Sequence, residues 1–132
     1  MHRVYKLLLA LSLIAMTPSV LPGEEETAPS IEYLPLQPKL IVNLAGRHHY
    51  LRADVQLMIQ GKQRLEEIQK YLPAIRHALI MLLSNLSPEQ AADVEAREKL
   101  RQEALQEVRK VLDQYAQSQG LKDLFFTEFL VQ

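Results

Sequence analysis

Residues able to do chemistry are few in this chain, and their spacing does not suit it. His48 and His49 are adjacent, and on a turn or strand edge neighbouring side chains point apart, so the two cannot close on one ion. His77 falls in a helical stretch without an acid or cysteine at ligand spacing. Cysteine is absent altogether, which removes disulfide staples, thiolate chemistry and thiol lipidation. Of the serines, Ser12, Ser19, Ser30, Ser84, Ser87 and Ser118, none lies in G-x-S-x-G. Gly23, Gly46, Gly61 and Gly120 stand alone, so there is no phosphate-cradling loop. Glu66 with Glu67, and Glu24 to Glu26, are consecutive, whereas acid–base work needs carboxylates converging in a pocket. The expectation is no catalytic, cofactor-binding or metal-binding residue, hence a binding or assembly module and not an enzyme.

A chain of 132 residues is one domain by length, with room for one modest core. Lys plus Arg number 15 against 16 for Asp plus Glu, so no overall basic field collects phosphate backbones and no nucleic-acid partner is expected. Aromatics are 6% and Trp is absent; aliphatic faces must therefore supply the burial.

The elements that would position a working surface follow from periodicity. From Leu51 to Ile59 the odd positions are apolar and most even ones polar, the alternation of a half-buried strand. Leu40, Ile41, Val42 and Leu44 precede it across "AGRHH", which predicts a hairpin. A helix is expected from about Arg64 to Leu86, with Leu65, Ile68, Leu72, Ile75, Leu79, Leu82 and Leu86 on one stripe and Pro73 kinking it or starting a fresh helix. Ala78, Ile80, Met81 and Leu83 add a second apolar surface. "SPEQ" opens a second helix through a capping box at Ser87 and Gln90, with Gly120 as its stop. Leu124 to Val131 reads as a strand apolar on both faces and holds all three phenylalanines. It is expected as an interior rung of the sheet, with helices on one side and another copy on the other. The order strand, strand, helix, helix, strand gives an α+β class: a small sheet of a β-hairpin plus a C-terminal strand, packed with two helices.

Residues 1–22 begin with Arg3 and Lys6 ahead of the apolar run Leu7 to Met16, and acids follow at Glu24 to Glu26. This describes either a cleaved signal peptide or a short retained anchor over residues 4–21, with the remainder outside the cytoplasm in both cases. Residues 23–38 carry Pro22's successors Pro29, Pro35 and Pro38 together with four acids, and read as an extended linker. The folded domain is expected over residues 39–132.

Four patterns in order resemble the FliL family of flagellar basal-body-associated proteins. They are Tyr33, Leu36, Pro38, Val42, Asn43, Leu44, Tyr50 and Leu51; then Pro73, Ile75, Arg76, Ala78, Leu82, Leu83 and Ser84; then "REKLRQEALQEVRKVL"; and finally "FFTEFLVQ". The resemblance covers Tyr33 to Gln132. His77 stands where the family commonly has Asp, and Ala96 where a Gly usually precedes the second helix, so an earlier helix start is expected here. The resemblance implies a single-pass inner-membrane protein whose periplasmic domain is stomatin-like (SPFH-like). It would form homo-oligomeric rings around the flagellar stator and support rotation, swimming or swarming without catalysis. Its partners would be stator and basal-body proteins, further copies of itself and, through residues 4–21 if uncleaved, the inner membrane. The alternative is a soluble periplasmic interaction or chaperone-like domain of the same fold, detached from the motor. Ile80, Met81, Leu83, Phe125, Phe126 and Phe129 are the candidate oligomer or partner surface, the competing assignment for all six being ordinary core.

Overall fold

A computed structural model of the chain describes Ser19 and residues 28–46, 48–115 and 117–132. Apart from Ser19, the expected signal or anchor lies outside the described residues, together with the start of the linker. The elements are β1 (Ile31–Pro35), β2 (Leu40–Asn43), β3 (Tyr50–Gln60), α1 (Lys62–Gln69), α2 (Leu72–Ser84), α3 (Pro88–Ala92), α4 (Arg97–Asp113), a 3-10 turn (Ser118–Gly120) and β4 (Leu121–Val131).

The alternating segment is the axis of the sheet. Leu51, Ala53, Val55, Leu57 and Ile59 of β3 are all fully buried, and each large one contributes roughly 1.5–3 kcal/mol by leaving water. Every neighbour of β3 is antiparallel. β4 runs along one edge, from Leu51↔Val131 to Ile59↔Leu121. β2 and β1 lie end to end along the other, with Val42↔Leu51 and Leu34↔Leu57 in register, and the Leu36 N–H donates to the Val55 carbonyl between them at 2.9 Å. The four helices cover the face carrying the odd-numbered β3 side chains, and the even-numbered face has no described element over it. The class is therefore α+β, with a four-stranded antiparallel sheet and four helices.

Several expectations are corrected. The sheet starts earlier than residue 39: Ile31–Pro35, inside the expected linker, is a strand, because Leu34 and Leu36 are buried and an edge strand tolerates a proline at its end. The C-terminal strand is an edge and not an interior rung, since among described residues β4 pairs only with β3. The first expected helix is two, the fresh-helix alternative at Pro73, and the second, expected as continuous, is also two. Pro73 sits in the first turn of α2, following Tyr71 at φ −104°, where the missing N–H costs no helical bond. The Ser87 box forms as expected: Ser87 Oγ accepts from the Gln90 N–H at 3.1 Å, and Gln90 Oε1 accepts from the Ser87 N–H at 2.9 Å. That helix ends within five residues, however. Asp93 turns extended and its carboxylate accepts from the N–H groups of Glu95 and Ala96 at 3.0 and 3.3 Å, which restarts the chain as α4 at Arg97, not earlier. Gly120 does not cap a helix; it closes the 3-10 turn against the Arg64 side chain. No helix among the described residues is long and apolar enough to cross a membrane.

Candidate interaction surface

The polar residues surveyed for chemistry stay apart. His48 occupies the β2–β3 connection at φ 74°, His49 is exposed beside it, and His77 is exposed on α2. Among the described residues no three His, Asp or Glu side chains come together as a metal would require. A surface depression where β3 meets α1 includes Ser30, Gly61, Lys62 and Arg64. Its one hydroxyl, that of Ser30, is engaged as donor to Glu32 at 2.7 Å.

The six candidate surface residues divide by face. Leu83 is 0% exposed and belongs to the core: α2 presents Ile75, Leu79 and Leu83 to the interior, so this residue cannot meet a neighbour. Met81, two positions earlier, is 53% exposed. Ile80 is half-buried against the core. Phe126 pairs in register with Val55 and Phe129 with Ala53, which turns both rings toward the helices. They meet edge to face at 5.1 Å, and the Arg97 guanidinium lies 4.3 Å above Phe129. Phe125, opposite Gln56, is on the other face.

The open sheet face is where exposed apolar side chains collect. Among the described residues Ile31, Tyr33, Ile41, Tyr50, Met81, Val94, Tyr115 and Leu130 are large, hydrophobic and exposed. Register places the first four and Leu130 on this one face, because Tyr33 opposes Met58 and Ile41 opposes Arg52, which in turn opposes Leu130. They are grouped on one face but interspersed with polar residues, Arg52 lying between Ile41 and Leu130, and five of the eight exposed large apolar side chains sharing one face makes it the candidate interaction surface. Sequence reasoning missed it, because each strand contributes only one or two of these residues, and Ile41 and Leu130 stand between apolar residues that read as core. Only strand pairing brings them together.

A compact ion cluster lies among them. Lys39 contacts the Glu128 carboxylate and lies 4.0 Å from Asp54, and Arg52 Nε is 3.4 Å from the other Glu128 oxygen. The Lys39 hydrogen bond, with the nearby Arg52 charge, holds the Glu128 carboxyl below the ordinary carboxylate range. Asp54 Oδ1 is buried and has no protein partner. The face therefore offers two cations, two anions and flanking aliphatic and tyrosyl surface, the mixture that gives an interface register as well as area.

Comparison with known proteins adds two findings. The family model described as flagellar basal body-associated protein FliL matches residues 33–132. A flagellar protein FliL of Aquifex aeolicus (strain VF5) is 34% identical over 99 residues, covering 74% of this chain and 59% of that relative. The match thus spans less than two thirds of the relative's length. The family-model match begins inside β1 and runs through β4, so it takes in nearly the whole described sheet and the four described helices.

Proposed function

The chain belongs to the FliL family of flagellar basal body-associated proteins, and on that premise we propose that it is a non-catalytic motor component. It would associate with the stator and with further copies of itself in a ring, and so support flagellar rotation in swimming or swarming. The domain would lie on the periplasmic side of the bacterial inner membrane, and the stomatin-like expectation for its fold belongs to the same proposal. A ring of this kind acts by differential contact, stabilising the working state of what it surrounds, and needs no reactive side chain.

The observation that carries the proposal is the family match across the folded domain, joined to a sheet with one face unroofed and studded with Tyr33, Ile41, Tyr50 and Leu130. That face is the proposed contact surface; of the six residues singled out from sequence Phe125 lies on it, while Met81 is exposed by itself on α2. In-frame deletion with complementation tests the role. The deletion strain is expected to swim and swarm poorly, with recovery on complementation, and the tagged protein is expected to copurify with basal bodies. Unchanged motility together with recovery of the protein in osmotic-shock fluid would overturn the proposal in favour of a detached soluble domain.

A further inference from the structure

The two edges of the sheet are protected in different ways. β1 and β2 are five and four residues long, and Pro35 and Pro38 interrupt the backbone between them; short strands and prolines are common ways of making an edge unattractive to another strand. β4 has neither defence. It is eleven residues of LKDLFFTEFLV without a proline or glycine, rich in aromatic and aliphatic residues; its register against β3 shifts at Thr127 and at Lys122, and the regular stretch between those shifts, Asp123 to Phe126, is a template for pairing with another chain.

Side chains from α4 reach around to this edge. The Leu124 carbonyl accepts from Arg101 Nη1 at 3.1 Å. The Leu124 N–H donates to the Asp123 carboxylate at 2.8 Å, and Arg101 and Asp123 are themselves ion-paired. A carboxylate taking the N–H and a guanidinium supplying the carbonyl is the pair of bonds that a neighbouring strand's peptide would offer. Two turns along α4, Arg109 Nη2 donates to the Lys122 carbonyl at 3.4 Å. The Arg101 guanidinium is braced from behind by Glu98 and lies 5.6 Å from the Phe125 ring, with its side chain only 18% exposed.

We infer that Arg101, Asp123 and Arg109 close the β4 edge by standing in for a neighbouring strand, and that without them β4 pairs edge to edge with β4 of a second copy. This goes beyond the proposed flagellar role and does not depend on it. Its consequence is that association between copies is kept off the strand edge and left to the faces.

The test compares the full chain with R101M/R109M, which keeps much of the side-chain bulk and removes both guanidinium groups, and with R101K/R109K, which keeps charge without the planar fork. Near-ultraviolet circular dichroism establishes that each protein is folded at the working temperature. Light scattering then follows association, and hydrogen exchange read by NMR follows the Lys122 and Leu124 amides. The methionine pair is expected to associate about tenfold faster than the parent, with those amides protected in the associated species. The loss of two positive charges from a chain of net charge −1 works against association, which makes the result harder to produce by accident. The lysine pair should fall between. Association no faster than the parent, or association in which Lys122 and Leu124 exchange freely, would overturn the inference. If R101M/R109M does not fold, R109M alone, which leaves the Arg101–Asp123 pair in place, decides it: smaller but measurable acceleration with Lys122 protected supports the guard, and parental behaviour refutes it.

Discussion

Gly120 shows how much can depend on one absent atom. A β-carbon there would lie 2.5 Å from Arg64 Cβ and 2.8 Å from Cγ, and the root of a side chain cannot swing away as its tip can. Gly120→Ala is expected to cost about 1–3 kcal/mol in urea unfolding, through displacement of the 3-10 turn from α1. Arg64→Ala in the same background should not rescue it, since the nearest atom remains. At the same scale, Glu98 is held at about 2 instead of 4.5, first by its hydrogen bond from Arg101 and then by that from Gln102. A depressed carboxyl favours the fold when ionised. Its contribution is therefore present above about pH 4.5 and fades as pH falls toward 2. Carboxyl NMR titration should show the low midpoint in the parent and its return toward the ordinary range in Arg101→Gln. The residue-level features legible beforehand were local ones. The Ser87 box was readable because its partners are three residues apart, whereas the Gly120–Arg64 contact joins positions that only the fold makes neighbours.

Among elements, α2 gives the sharpest contrast. Leu83→Ala should destabilise by about 2–5 kcal/mol, as emptied core sites do. Met81→Ala should stay within about 0.5 kcal/mol because that side chain is largely in water. Denaturation midpoints of the two variants check this directly. Sequence periodicity showed that α2 was apolar around most of its circumference but put Leu82 on the stripe with Ile75 and Leu79 and Leu83 on the second surface, the two being equally hydrophobic; contact with the sheet selects Leu83, and Leu82 lines the groove against α4. β3 was readable almost residue by residue because one face is buried and the other is not. β1 was obscured by the prolines around it, whose backbone preference outweighed the signal of two buried leucines. The break between α3 and α4 was hidden because the apolar stripe continues past Asp93. Loss of the cap in Ser87→Ala is expected to cost about 1 kcal/mol, visible as a lower melting temperature.

For the whole molecule, the sequence supported an antiparallel sheet with helices but not the order of its strands. Strand order is settled by long-range pairing, and a segment apolar on both faces, such as β4, fits an edge whose sides are covered by helices and by arginine as well as it fits an interior strand. The same limitation split the candidate surface: Leu83, Phe126 and Phe129 turn inward or against the helices, while Tyr33, Ile41, Tyr50 and Leu130 were overlooked. What results is a two-layer domain in which no described element covers the even-numbered face of the sheet, and its proposed role rests on that face. The most direct measurement is the localisation of fluorescently tagged Ile41→Glu in flagellated cells, alongside its melting curve. Ile41 is 67% exposed, so the melt should match the parent. If the face is the contact surface, foci at flagellar bases should be lost and swimming impaired; normal foci and normal swimming in a protein carrying that buried-on-binding charge would contradict the proposed role of the face.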